Sequence, residues 1–426
     1  MPTKDISRYL FQPEKRYSGV RMQQGRVILD SDWNESERID QEEMRRLALD
    51  MIGTRGTRDD GFKVGIVDTV PDPLPIADAY DFPVAAGSYY LGGTRYEASA
   101  ETFLTQGDWL TQDLDTGTLP TKPAAAELPP TLDQVFRHDL VYLEAWEQPV
   151  CAVEDRELLE RALGGPDTSV RMRRMHRVKV EPDVAITTPT CDDAFGQLPL
   201  NGTFDSDTHE LLSDARLELG FLAGASSDLC SPGDSGGFLG AENEALRIQL
   251  VDSTHLVWGR DNASPLYRVS VDEASLKISF VTPPRDQASQ PLKDQLVEVL
   301  APGAKLPNGE YLAESTGVLL QVATSYDPET ASLTFSAVSA ELSALLAWRT
   351  AHTEIPSLAE DGSFFLRVWT GGPALDFSGG PVTLPGTGLQ VTIAGAGNPG
   401  DHWIAALRPE TPNQIVPWEL QQVGGA

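Results

Sequence analysis

Arg247-Ile-Gln-Leu-Val251, His255-Leu-Val-Trp258, Leu266-Tyr-Arg-Val-Ser-Val271 and Leu276-Lys-Ile-Ser-Phe280 follow one another between Leu246 and Pro283, with turn residues between them. Short apolar-rich runs at this spacing predict the strands of an antiparallel β-domain, because each is too short for a helix and alternates its side chains between two faces. Downstream, Leu296–Leu300, Gly317–Val322 and Ser332–Phe335 predict a small barrel or meander. Ala340–Arg349 reads as a helical interlude, and Phe364–Trp369 and Leu389–Ile393 return to strand. Upstream, the Gly92-Gly93 pair inside Gly87–Glu97 predicts a hairpin. Val141–Trp146 reads as a buried strand, Glu154–Leu163 as a short helix stopped at Gly164-Gly165-Pro166, and Val170–Val180 as a strand rich in arginine. The expected fold is mainly β: several small antiparallel domains, sandwich- or barrel-like, with an N-terminal helix and short helical interludes. Four parts are expected: an arm and helix (1–65), a β-rich domain with a short helix (66–200), a β-domain (201–285) and C-terminal β-structure (286–426). Pro71–Pro75 and 111–130 read as linkers, and no fixed-period repeat suggests a solenoid.

The chain has 426 residues, 40% of them hydrophobic, enough for substantial cores. Its 33 Lys+Arg stand against 63 Asp+Glu, a net charge of -30. Such a balance disfavours a phosphate backbone as partner, and favours basic patches on partner proteins. Within it, Arg171, Arg173 and Arg177 fall on one face of the 170–180 strand. The sequence offers no interleaved aromatics there for base stacking, so the face reads as a solvated patch that meets an acidic neighbour. Replacing such solvent-facing arginines should cost about 0.5 kcal/mol each or less.

The N-terminus, Met-Pro-Thr-Lys-Asp-Ile-Ser-Arg8, lacks the apolar core of a secretory signal, and no run of about twenty apolar residues is present to span a bilayer. Cys151, Cys191 and Cys230 are odd in number and lack metal-type spacing. Buried free thiols in a chain made in the cytosol are expected, with one disulfide left open.

No catalytic set emerges. Gly233-Asp-Ser-Gly-Gly237 imitates the nucleophile loop of trypsin-like proteases, with Ser235 in the attacking position. A histidine base is needed as well, yet the first histidine is His138 in an unrelated setting, and His352 follows the serine. Asp30-Ser-Asp-Trp-Asn34 imitates the start of an EF-hand, but Glu35 and Gln41 stand where glycine and a bidentate glutamate are required. Helix capping accounts for those acids more simply. The remaining histidines lack metal spacing, and pairs such as Glu144 and Glu147 do not identify a glycosidase. No metal or cofactor is expected.

The run Tyr17-Ser-Gly-Val-Arg-Met-Gln-Gln-Gly-Arg-Val-Ile-Leu-Asp-Ser-Asp-Trp-Asn-Glu35 has the logic of a docking arm. A Gln-Gln-Gly turn leads to an expected short strand, Val27–Leu29, and Asp30, Ser31 and Asp32 offer N-cap side chains to a helix reaching about Ile52. Tyr9, Leu10, Phe11, Tyr17, Val20 and Met22 add apolar groups to a segment too irregular to build a core alone. Residues 1 to 35 are therefore expected to reach out and dock on another subunit.

That run closely resembles the opening of a family of bacterial proteins found in phage-tail-like contractile injection system loci, some of which continue into right-handed parallel β-helix segments. Further blocks are similar in order: Val141-Tyr-Leu-Glu-Ala-Trp-Glu147 with Ala162-Leu-Gly-Gly-Pro-Asp-Thr168; Gly237-Phe-Leu-Gly-Ala-Glu-Asn243 with Trp258-Gly-Arg-Asp-Asn262; and Gly388-Leu-Gln-Val-Thr-Ile393 with Gly400-Asp-His-Trp403. The chain departs from the pattern in its Cys- and Pro-containing insertions and in ending at Ala426 with no fibre-like continuation. The resemblance implies a non-enzymatic structural component of such a particle, bracing or decorating its baseplate, cage or fibre-attachment region. It implies other particle subunits as partners and assembly in the cytoplasm; self-association stays open. A carbohydrate- or receptor-binding module is the alternative, with Tyr89, Tyr90, Trp369 or Trp403 as stacking platforms, and an envelope-polymer hydrolase is a third.

Overall fold

A computed structural model describes residues 6–7, 11–65, 68–69, 80–114, 138–182, 184, 190–196, 198, 202–205, 207–222, 236–352 and 364–417. The architecture is mainly β, as the alternating segments predict. Six antiparallel strands close a barrel in the order Leu266–Asp272, Lys277–Phe280, Ser332–Phe335, Val318–Asp327, Leu296–Leu300 and Phe364–Trp369. Closure pairs the last strand with the first, Leu266 opposite Arg367 through Val269 opposite Phe364. The interior is filled by β-branched and aromatic residues such as Val269, Ile278, Val297, Val299, Val322 and Phe335. The helix Ala340–Ala351 covers this core with Leu342, Leu345 and Trp348, three residues apart along one face. Its start is fixed by Ser339, whose hydroxyl accepts the Leu342 N–H at 3.2 Å.

A second unit has the character of a sandwich. A five-stranded sheet runs Leu375–Asp376, His255–Gly259, Glu244–Leu250, His402–Leu407, Val416–Pro417, and a three-stranded sheet runs Arg216–Phe221, Leu389–Ala394, Val382–Leu384. Leu246, Ile248, Leu256 and Leu407 of the first share one core with Leu384, Leu389 and Val391 of the second. The boundary expected at 285/286 thus cuts through both units, since each combines strands from the two sides of it. Non-local pairing makes these units, and local turn signals alone do not reveal it.

The N-terminal half is built on two hairpins. Gly87–Leu91 and Thr94–Ala98 meet through Gly92 and Gly93, whose φ angles of 59° and 79° give the two left-handed positions of a tight hairpin. Leu140–Val150 pairs along its full length with Arg171–Glu181 in a long ribbon.

Several local expectations are corrected. Val27–Leu29 is coil with three exposed side chains, having no strand partner among the described residues. Helix α1 spans Asp30–Ile52 as expected, but its N-cap is Leu29 and no side chain caps it. Asp30 and Asp32 lie inside the first turn, where their charge opposes the positive end of the helix dipole. Glu154–Leu163 forms two 3-10 turns, Arg156–Leu158 and Arg161–Leu163, because Leu159 is extended between them; Gly164 stops the second at φ 92°. Cys151 is buried in the barrel cluster, whereas Cys191 is exposed, so the expectation of buried thiols fails there. Tyr9, Leu10, Ser235, Cys230, the 71–75 linker and residues 115–130 lie outside the described residues. None of the described helices is long and apolar enough to cross a membrane.

Candidate docking surface

Helix α1 is 23 residues long, yet Ile39 is its only fully buried residue. Good helix formers dominate its second half, and Glu42 pairs with both Arg45 and Arg46 at 2.8 Å, one turn ahead. One side of the helix rests on the body. Arg45 Nη1 donates to the Gly92 carbonyl at 3.2 Å, and a Cβ on Gly93 would stand 2.4 Å from the Arg45 carbonyl oxygen, so only glycine lets the hairpin turn approach so closely. Another side takes the preceding segment, where Phe11, Pro13, Arg16 and Tyr17 meet Ile39, Glu42 and Arg46 around one cavity.

The side facing away from these contacts is apolar. Trp33 (64% exposed), Met44 (67%), Leu47 (56%) and Met51 (78%) stand open to solvent. Since α-helical residues advance about 100° each, these four fall within about 60° of one another. Exposed Asp40 falls within the same arc and exposed Glu37 just beside it, both between Trp33 and Met44 along the axis, while exposed Glu43 and Asp50 lie beyond its other edge. The result is an apolar stripe of Met44, Leu47 and Met51 flanked by carboxylates and separated by Glu37 and Asp40 from Trp33, with exposed Val27, Ile28 and Leu29 ahead of the helix. Scattered exposed apolar residues need no explanation, but a row along one helix face makes a candidate interaction surface.

The arm residues divide accordingly. Phe11 is buried within its own chain, which corrects its assignment to a partner. Tyr17 and Met22 are exposed and Val20 half-exposed. Sequence reading missed the stripe itself. Its signal was present in the spacing of Trp33, Met44, Leu47 and Met51, which marks one face without saying whether the body covers it.

Ion pairs within α1 stabilise the helix itself. Burial alone would raise the Glu42 carboxyl, but hydrogen bonds and charge from Arg45 and Arg46 outweigh it and bring the pKa below the ordinary 4.5. A depressed carboxylate contributes stability in full above its unfolded value, and the contribution is lost as pH falls through the folded value. Glu42→Gln is therefore expected to cost about 0.5 kcal/mol near neutrality and nothing once pH falls well below 4. Urea unfolding across that range checks this; an equal cost at both ends would contradict it.

The arginine face is not the solvated patch expected. Arg173 Nη2 lies 2.7 Å from Asp108 Oδ1, and Arg177 Nη2 lies 2.7 Å from Glu314 Oε1 while its Nε donates to the Asp108 carbonyl at 3.0 Å. The Arg177 guanidinium stands between Trp109 and Trp146, 5.6 and 5.1 Å from their centroids. These two arginines are internal partners, because the 101–114 segment and the 302–314 hairpin region fold over that side of the ribbon. Arg171 alone of the three remains exposed.

Three of the four proposed stacking platforms pack against cores, while Tyr90 is half-buried. Trp369 is fully buried and donates to Glu298 Oε2 at 2.9 Å, Trp403 packs against the sandwich core, and Tyr89 meets Phe62 edge-on. Glu144 is paired with Lys179 and Glu147 with Arg174. His402 sits where burial and the nearby Arg247 charge push its pKa well below 6.5, so it is neutral, and its Nδ1 meets the Gly400 carbonyl at 3.1 Å. His352 stacks on Trp348, with Nε2 3.3 Å from Asp113. Among the described residues no group of three His, Cys, Asp or Glu side chains is arranged to hold a metal.

Residues 3–190 match the model of a family described as a family of unknown function (DUF6519). That segment holds α1, the 87–98 hairpin and the ribbon, and stops short of the barrel. No curated protein and no solved structure matches the chain.

Proposed function

We propose that the chain is a non-enzymatic structural subunit that seats on another protein through the apolar stripe of α1. The observation that carries this reading is the exposure of Trp33, Met44, Leu47 and Met51 on one face of a helix whose other sides are engaged. The occupant it fits is an apolar groove or helix with a basic border. A second copy fits poorly, because Glu37, Asp40, Glu43 and Asp50 of each would then face their counterparts, and the whole chain already carries -30. The family resemblance of the 17–35 run, which leads directly into α1, supports a contractile injection particle as the setting, with its baseplate, cage or fibre-attachment zone as the place. The alternative of a carbohydrate-binding module loses support with Trp369 and Trp403 packed into cores.

Met44→Gln with Leu47→Gln tests the proposal. Glutamine is a good helix former and both sites are exposed, so the melting temperature should stay within a degree or two. Losing two apolar side chains from a buried contact should weaken association about a hundredfold or more. Occupancy in purified particles, measured by quantitative mass spectrometry, reads this out. Parental occupancy with an intact fold would eliminate the stripe as the docking surface.

A further inference from the structure

At its Arg171–Arg174 end the ribbon meets α1, near Gln41, across an open cavity of about 510 Å3. Met172 and Leu306 supply apolar lining, and Arg171, Arg173 and Arg174 supply three guanidinium groups. Glu147 and Asp155 line it too, with one oxygen of each in contact with its own chain. Glu147 Oε1 stands 3.5 Å from Arg174 Nε, and Asp155 Oδ1 accepts from the Glu157 N–H at 3.1 Å and from Asn308 Nδ2 at 3.0 Å. Arg173 is held by Asp108. Arg171 differs: its Nη1 donates to Ser169 Oγ at 2.6 Å and to the Val170 carbonyl at 3.3 Å, with no carboxylate at ion-pair distance among the described residues. Arg174 is half exposed; its Nη1 donates to the Arg95 carbonyl at 3.1 Å, and its contact with Glu147 is long.

We propose that this cavity is a second docking site, which takes an acidic peptide segment from a protein partner. A carboxylate pairs with Arg171, and an adjacent apolar side chain rests on the cavity lining of Met172 and Leu306. A guanidinium offers paired N–H donors that match the two oxygens of a carboxylate, and here the Arg171 fork has no acidic partner among the described residues. The surroundings select a short acidic segment over a polyanion, because Glu147 and Asp155 flank the cavity and the whole chain repels extended negative charge. The chemistry is opposite to that of the α1 stripe, so the site stands without the stripe proposal.

The test uses the full chain and a fluorescein-labelled peptide, Ser-Leu-Glu-Met-Glu-Leu-Ser, with its Glu-to-Gln counterpart, read by fluorescence anisotropy at low ionic strength. The acidic peptide should bind, about tenfold more tightly than the amide version, and added salt should weaken it. Arg171→Ser should weaken binding by about tenfold and Arg171→Lys by less, whereas Arg285→Ser, at another exposed arginine, should change nothing. The Met44→Gln, Leu47→Gln variant should bind the peptide normally, which separates this site from the stripe. Absence of peptide binding, equal binding of the acidic and amide peptides, parental binding by Arg171→Ser, or displacement of the peptide by an equal concentration of oligothymidine would overturn the proposal.

Discussion

Replacing Arg177 by Ser is expected to destabilise the chain by about 3 kcal/mol, several times the cost of removing a solvent-facing arginine. The reason is what the substitution leaves behind. Glu314 loses the guanidinium at 2.7 Å and keeps only the Thr111 hydroxyl at 2.6 Å, in a setting where both members of the pair are 14% exposed. The Asp108 carbonyl loses a donor, and Trp109 and Trp146 lose the cation between them. Urea unfolding of Arg177→Ser, and of Arg177→Met combined with Glu314→Gln, measures the effect. The double variant should recover much of the loss, because no uncompensated charge is then buried. A single-variant cost under about 0.5 kcal/mol would mean that the arginine face is solvated after all.

Glu298→Ala is expected to cost about 3 to 5 kcal/mol, the largest effect of any single change considered. Glu298 sits between Val297 and Val299, whose side chains fill the barrel, so strand alternation turns it to the outer wall. There its Oε2 accepts from Arg367 Nη1 at 3.1 Å and Trp369 Nε1 at 2.9 Å, and its Oε1 accepts the Gly317 N–H at 2.7 Å. Trp369 packs with Val257 and Ala263 beside the sandwich, so this carboxylate braces the contact between the two units. Glu298→Gln keeps an acceptor and should cost less, about 1 to 2 kcal/mol. Differential scanning calorimetry of the two variants checks both magnitude and order. If Ala and Gln cost the same, the ion pair with Arg367 is the whole of the effect and the hydrogen bonds to Trp369 and Gly317 add nothing.

Both residues show where the sequence stops being informative. Arg177 and Arg171 lie on one face of one strand and look alike in the sequence, yet the first is enclosed by segments about 70 and 140 residues away while the second is exposed. Glu298 reads as an ordinary acidic interruption in an apolar strand until closure of the barrel sets Arg367 directly opposite it. Phe11 and Tyr17 looked equivalent as arm residues, and only the folded structure buries the first and leaves the second open.

By itself, the sequence determined the elements whose cause is local. Alternation set most of the strands between 247 and 335, though not the Pro302–Lys305 and Tyr311–Ala313 hairpin, the Gly92-Gly93 pair set the hairpin at 87–98, and the helix-forming run after Asp30 set α1 to its end at Ile52. It also determined the acidic balance that limits the partners. Only the tertiary structure decided which strands close the barrel across the expected 285/286 boundary, which arginines are enclosed, and which face of α1 is left uncovered. Those outcomes depend on contacts between residues far apart in the chain, and periodicity within one segment can mark an apolar face but cannot say what packs on it.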